Sequence, residues 1–242
     1  MTRNTSLGLL ATMLAATLLA PAAAQAADTS LAFNIGAVSD YRYRGISQTR
    51  LQPALQGGVD LGLPQGLYLG AWASTIKWID DAGGNANVEI DVYGGWKGEL
   101  AKGFTLDVGA LTYQYPSNDL NPSANTTELY AALSYAMFTL KYSHSLTNLF
   151  GFADSKGSGY LDLSASFDVY DGWTLAPHVG HQRIINNGFY AYNDYALTLS
   201  KDFSGLVPSL AVVGTDTDDY LSPKNGKDLG KSGVVLGVKY NF

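Results

Sequence analysis

Residues 127–145 read T-E-L-Y-A-A-L-S-Y-A-M-F-T-L-K-Y-S-H-S. Leu129, Ala131, Leu133 and Tyr135 alternate with Glu128, Tyr130 and Ser134. After Ala136-Met137 the alternation resumes, with Phe138, Leu140 and Tyr142 set against Thr139, Lys141 and Ser143. Successive side chains of a strand point to opposite faces, so this stretch predicts a hairpin of two strands, each apolar on one face and polar on the other.

The same period of two runs outward in both directions. Toward the N-terminus it marks residues 30–42, 52–63, 67–78, 87–98 and 104–115; toward the C-terminus it marks 159–169, 173–182, 192–200, 206–215 and 232–242. With 127–135 and 138–145 the chain carries about twelve strands of the length a membrane-crossing strand needs, roughly 9–11 residues. A soluble sandwich also alternates, and the connections decide between the two. Tight connections at 64–66, 99–103, 136–137, 170–172 and 201–205 interleave with long ones around 44–51, 79–86, 116–126, 146–158, 184–191 and 216–231. Strict alternation of tight and long is the layout of an all-β, antiparallel up-and-down transmembrane barrel, with short periplasmic turns and longer extracellular loops. Rings gather at the tight end: Trp96, Phe104, Tyr135, Phe138, Phe167, Tyr170, Trp173, Phe203, Tyr240 and Phe242 lie within a few residues of a tight turn or the C-terminus. Aromatic girdles occupy the membrane interface in this way.

Composition agrees. Of 242 residues, 46% are apolar and only 15% charged, with 27 glycines, 16 tyrosines and no cysteine. Without cysteine there is no disulfide framework, thiol nucleophile or Cys-ligated metal. The net charge of -6 provides no basic field to follow a phosphate backbone, so nucleic acid is not an expected partner. Residues 1–26 read as a secretory signal peptide: Arg3 supplies the positive start, residues 7–20 (LGLLATMLAATLLA) the apolar core, and Ala24-Gln25-Ala26 the small-residue cleavage site, leaving 27–242 as the barrel. Beyond the leader no apolar run approaches the roughly 20 residues of a spanning helix. The longest, 206–214 (LVPSLAVVG), is strand-length and contains Pro208.

Residues 38–49 read V-S-D-Y-R-Y-R-G-I-S-Q-T and the chain ends V-K-Y-N-F. With the leader and the Gly-rich alternating strands, these make the chain resemble the TorF family of porins, a proteobacterial envelope family. The resemblance implies an outer-membrane β-barrel and no particular substrate. The terminal aromatic also resembles the signal by which the barrel-assembly machinery recognises its clients, here Val238, Tyr240 and Phe242 on one face.

With the apolar face against outer-membrane lipid, the polar face lines a lumen. Its expected acidic residues are Asp40, Asp60, Glu89, Asp91, Asp107, Glu128, Asp162, Asp168 and Asp194; its basic ones are Arg42, Arg44, Lys97, Lys141 and Lys239. So many charges need water or dense pairing, because an isolated charge in a dry interior costs several kcal/mol. Acidic rings favour cations. Arg42 and Arg44 run in phase with Asp40 and are expected on one wall near the outer rim, either as a local positive cluster or simply paired with a neighbouring carboxylate. By the same phase Tyr41 and Tyr43 face lipid, while Gly45 and Gln48 read as turn residues. The 146–158 loop carries Leu149, Phe150 and Phe152, which are placed to tuck inside.

No catalytic, metal or cofactor site is expected. His144 neighbours Ser143 and Ser145, but adjacent strand residues face apart, and so do His178 and His181. His178 points inward, with Asp162 and Asp168 as its expected neighbours. The acidic stretch 215–219 (TDTDD) lacks the glycine and distal glutamate of a calcium loop. The sequence therefore predicts a non-enzymatic, monomeric outer-membrane channel for passive diffusion of small hydrophilic solutes, weakly cation-preferring. A lipid hydrolase and a non-conducting structural or adhesive barrel are the alternatives.

Overall fold

The computed structural model describes residues 29–242; the leader expected over 1–26 lies outside them. Twelve wall strands follow in chain order: β1 Ser30–Val38, β2 Ala54–Gly62, β3 Leu67–Thr75, β4 Val88–Ala101, β5 Phe104–Gln114, β6 Thr126–Tyr135, β7 Phe138–Ser145, β8 Gly159–Ala165 continued after Ser166 by Phe167–Tyr170, β9 Trp173–Arg183, β10 Tyr192–Lys201, β11 Leu206–Thr215 and β12 Gly233–Asn241. Each pairs antiparallel with its sequence neighbour. The ring closes between β1 and β12, with Asn34 opposite Asn241 and Val38 opposite Gly237. Closure removes both sheet edges, which is what allows strands to cross a bilayer with every backbone group paired.

Alternation explains the wall. Leu31, Ile35, Leu55, Val234 and Leu236 are each more than half exposed, and the leucines of β6, β7, β8 and β10 join them in one outward belt. In water each such side chain would forgo about 1.5–3 kcal/mol of burial. In a bilayer the same belt is the solvated face. The inner face is the reverse: Glu89, Asp91, Glu128, Asp162 and Asp194 are almost wholly buried. At the tight-turn end, rings stack between neighbouring strands, Phe33 with Phe242 at 5.8 Å and Phe104 with Tyr135 at 4.4 Å.

Several sequence expectations are corrected. β1 ends at Val38 rather than at residue 42, and the chain then turns into the lumen. β3 ends at Thr75, so Trp78 opens a short helix, Trp78–Asp81, instead of closing a strand. β4 runs on to Ala101. The Ser166 N–H donates to the carbonyl of Met137 and the register holds across it, with Ser164 opposite His178 and Asp168 opposite Thr174 on β9; the shift comes only between Asp168 and Tyr170. Asp168, expected to line the lumen beside His178, keeps the inward phase, opposite the buried Thr174, from which it accepts a hydrogen bond at 3.3 Å, but it lies at the exposed tight-turn mouth and not beside His178.

Candidate functional site

The first long loop, between β1 and β2, does not stand above the barrel. It enters the lumen as a small ribbon in which Arg42 pairs with Ser47 and Tyr43 with Ile46. The two residues of its turn, Arg44 and Gly45, both have positive φ (46° and 80°), as a type I′ hairpin turn requires. Glycine is the natural residue at the second position, since a Cβ there would meet the side chains of Thr215 and Asp194.

Asp40 and Arg42 pair at the base of this ribbon, and Asp40 also accepts the Ser47 and Thr49 hydroxyls. Arg42 donates further to the carbonyls of Gly45, Leu229 and Lys231 at 2.9–3.1 Å. These bonds tie the first loop to the last. Both residues thus hold the ribbon's base and do not stand on the barrel wall. Arg44 points elsewhere. Its guanidinium donates to Glu128 on β6 and to Gln182 on β9, both at 2.7 Å, and lies over the rings of Tyr43 and Tyr160. A twelve-stranded barrel has a backbone radius of about 12 Å from strand spacing and tilt. A side chain starting from a loop folded toward the axis can therefore reach two separate stretches of the opposite wall, and Arg44 does.

Tyr41 and Tyr43, expected against lipid, sit inside. Tyr41 donates to Glu89 at 2.7 Å. Tyr43 meets Tyr113 hydroxyl to hydroxyl at 2.6 Å and packs edge-on against Phe150. Leu149 and Phe150 tuck in from the 146–158 loop, as their sequence context suggests, whereas Phe152 packs against Tyr190. The outer half of the lumen is thus filled by the first loop, pinned through Arg44.

Below it the wall carries a polar lattice. Asp162, Gly180 and Asp194 are directly opposite one another across β8, β9 and β10. The missing side chain at Gly180 leaves the space that Tyr160 crosses: a Cβ there would stand 2.1 Å from the Tyr160 hydroxyl. Through that gap Tyr160 donates to Asp194 at 2.9 Å. His178, two residues along β9, contacts Asp162 through Nδ1 and Asp194 through Nε2, the latter at 2.6 Å. Its carboxylate partners are therefore Asp162 and Asp194, not Asp168. Tyr68 donates to Asp107 at 2.6 Å, Tyr93 bonds Asp60, and Lys141 lies over the Tyr130 ring at 4.5 Å. Asp107 stands across from Lys97, and Lys239 on β12 completes the inward basic set. The carboxylate of Asp91, between Glu89 and Tyr93 on the same face, takes no hydrogen bond among the described residues.

The tyrosines of this lattice were not singled out from the sequence, yet a signal was there. Asp91-x-Tyr93, Glu128-x-Tyr130, Tyr160-x-Asp162 and Tyr192-x-Asp194 each place a ring two residues from a carboxylate, hence on the same face of one strand. Among the described residues no group of three or more His, Cys, Asp or Glu is arranged to hold a metal ion.

Above the ribbon the long loops enclose a vestibule of about 400 Å³, walled by rings and opening at the long-loop end. A family model described as "Bacterial protein of unknown function (Gcw_chp)" matches residues 22–242. The chain belongs to this family. No curated protein matches it in sequence. Its fold is similar to the KdgM porin (TM-score 0.58, 10% identity, 87% of this chain and 99% of that one) and to the NanC porin (TM-score 0.57, 14% identity, 87% and 99%). A structure titled "KdgM porin in complex with disordered oligogalacturonate" matches at TM-score 0.56 and 9% identity, over 89% and 99% of the two chains. The fold is that of outer-membrane porins. A closed twelve-stranded barrel with an outward apolar belt belongs in the outer membrane of a bacterium.

Proposed function

We propose that this chain is an outer-membrane diffusion channel for small hydrophilic solutes, weakly selective for cations, whose outer mouth is narrowed by the first loop. The observation that supports this reading is the inner wall: carboxylates outnumber basic groups there, inside a barrel of porin fold. Acidic linings raise the local concentration of cations and oppose anions. Solutes pass when the Arg42–Ser47 ribbon leaves its seat, and the Arg44 contacts set how often that happens. Reversal potentials of the purified protein in planar bilayers under a KCl gradient test the selectivity. A potential of the sign that potassium permeation gives is expected; clear anion selectivity contradicts the reading.

In the same reading the residues 1–26 leader is removed during export, and N-terminal sequencing of the mature protein should begin at Ala27. Within its family the chain takes its place with the TorF porins on the V-S-D-Y-R-Y-R-G-I-S-Q-T block. The barrel-assembly machinery engages the face of β12 that carries Val238 and Tyr240, together with the terminal Phe242. Phe242→Ala should slow the appearance of the heat-modifiable folded band in cells, and an unchanged rate would remove that assignment. The working unit is a monomer.

A further inference from the structure

The outward face of the barrel is uncharged over most of its height, as lipid demands, and the exceptions are grouped. Among the described residues its basic side chains are Lys201 at the tight-turn end, paired with Asp171, and His144, His181 and Arg183 at the long-loop ends of β7 and β9. An arginine on the lipid side costs most at the bilayer midplane and little at the interface, so the second group marks the level of the outer headgroups.

Strand register arranges this sector in three rows. In the outermost, Gly159 on β8 stands directly between His144 and Arg183. Next come Tyr142, Leu161 and His181; below them stand Leu140, Leu163 and Val179, each about half exposed. Adjacent strands lie about 4.8 Å apart, which puts the Cα atoms of His144 and Arg183 about 10 Å from each other across a residue with no side chain. The Tyr142 ring leans into that gap. It lies tilted beside His144, centroids 6.3 Å apart, and its hydroxyl end takes the place a Cβ of residue 159 would occupy.

The outermost row is presented and unengaged. His144, Arg183 and Tyr142 are all exposed, and their side chains make no hydrogen bond or ion pair among the described residues. The carboxylate of Asp216 accepts from the backbone N–H and side-chain amide of Asn193, which meets His181 at 2.8 Å, so that chain is satisfied within itself. In the loop above, Lys156 and Asp154 balance, and Arg183 carries the net charge of the sector. A guanidinium, an imidazole and a phenol hydroxyl around one gap recognise an anion. The fork of Arg183 would satisfy a carboxylate by itself, whereas donors on both sides of the gap suit the several oxygens of a phosphate. The leucines two rows below call for hydrocarbon attached to that phosphate.

We propose that the row His144–Gly159–Arg183, with Tyr142, is a binding site for the phosphate group of an outer-leaflet lipid, whose acyl chains lie on Leu140, Leu163 and Val179. Arg183 holds the phosphate as a fork, and the Tyr142 hydroxyl and a His144 ring N–H donate from the other side. The site lies on the outside of the barrel, so it stands apart from whether the lumen conducts.

Native mass spectrometry of the full barrel released from detergent reads binding as discrete adducts. Diphosphorylated lipid A, the same lipid with its phosphates removed, and inorganic phosphate are titrated separately. A first adduct that saturates with lipid A is expected, with the other two weaker by at least tenfold. Arg183→Gln should weaken the lipid A adduct by about tenfold, as loss of a hydrogen bond to a charged group does, and His144→Gln in addition should weaken it further. Arg183→Lys keeps the charge without the fork and should fall between wild type and Arg183→Gln. Lys201→Gln, at the opposite end, should bind as the wild type does. Each variant is first checked for wild-type heat-modifiable mobility, which reports a closed barrel. Absence of a lipid A adduct on the wild-type protein overturns the proposal. So does equal binding of the dephosphorylated lipid, which the apolar belt alone explains, or of inorganic phosphate, which needs no lipid. Unaltered lipid A affinity in the double variant overturns it as well, as does an equal loss in Lys201→Gln.

Discussion

Replacing Arg44 by alanine tests how the barrel is held shut. In the docked state its guanidinium bonds Glu128 and Gln182 at 2.7 Å each, and both ends of the Glu128 ion pair are almost wholly buried. Removing one partner of a buried pair strands the other, at a cost of about 3–5 kcal/mol. Glu128 regains water once the ribbon leaves, so that cost falls on the docked state alone. The docked-to-undocked ratio should therefore fall by about 10² to 4 × 10³. Loss of the contacts over Tyr43 and Tyr160 works in the same direction. Single-channel recording in planar bilayers reads the outcome. Arg44→Ala should show a higher open probability or a larger main conductance than the wild type, and Arg44→Lys an intermediate change, because an ammonium lacks the planar fork that serves Glu128 and Gln182 together. Unchanged conductance in a correctly folded Arg44→Ala barrel would refute the idea that the ribbon is the constriction.

Other perturbations separate the parts. Arg42→Ala removes the bonds to the carbonyls of Leu229 and Lys231, so the 216–231 loop should become more sensitive to protease added to whole cells, while barrel closure is retained. His178→Ala leaves Asp162 and Asp194 facing each other without their shared partner. The unfolding midpoint in detergent should fall, by an amount corresponding to about 3 kcal/mol, and phospholipid in the same micelles should remain intact with either protein; hydrolysis by the wild type that this variant loses would revive the lipid-hydrolase alternative. Asp216, just beyond β11, accepts from the backbone N–H and side-chain amide of Asn193, which hold its carboxyl below the usual carboxylate range. Because the folded value lies below the unfolded one, this anchor is complete above about pH 4 and is lost as pH falls through the lower folded value. Exchange of the Asn193 amide should accelerate only in that acidic window, and Asp216→Asn should abolish the dependence.

The wall was legible because lipid outside and polar groups inside impose one strict period, and β7 and β11 match the sequence reading residue for residue. What misled was a change of partner without a change of period. Asp40, Arg42 and Arg44 alternate as if β1 continued, and the ribbon they belong to is itself extended; only its pairing with itself, through the Arg44-Gly45 turn, takes it off the wall. Tyr41 and Tyr43 were turned to the wrong side for the same reason. Asp168 holds the expected parity, opposite Thr174, but six residues along β8 from Asp162 it stands at the tight-turn mouth, too far down the barrel to meet His178. The vestibule had no local signature, because Trp78, Tyr115, Phe150, Tyr190 and Tyr220 come from five separate connections that only ring closure brings together.

Swelling of liposomes that contain the wild-type protein addresses the account at its root. Vesicles loaded with impermeant dextran and moved into isotonic arabinose or glucose should swell faster with the barrel present than without it, and faster again with Arg44→Ala. Swelling no faster than in protein-free vesicles for both proteins, with the barrel shown to be folded in the bilayer, would contradict a channel and leave a structural shell.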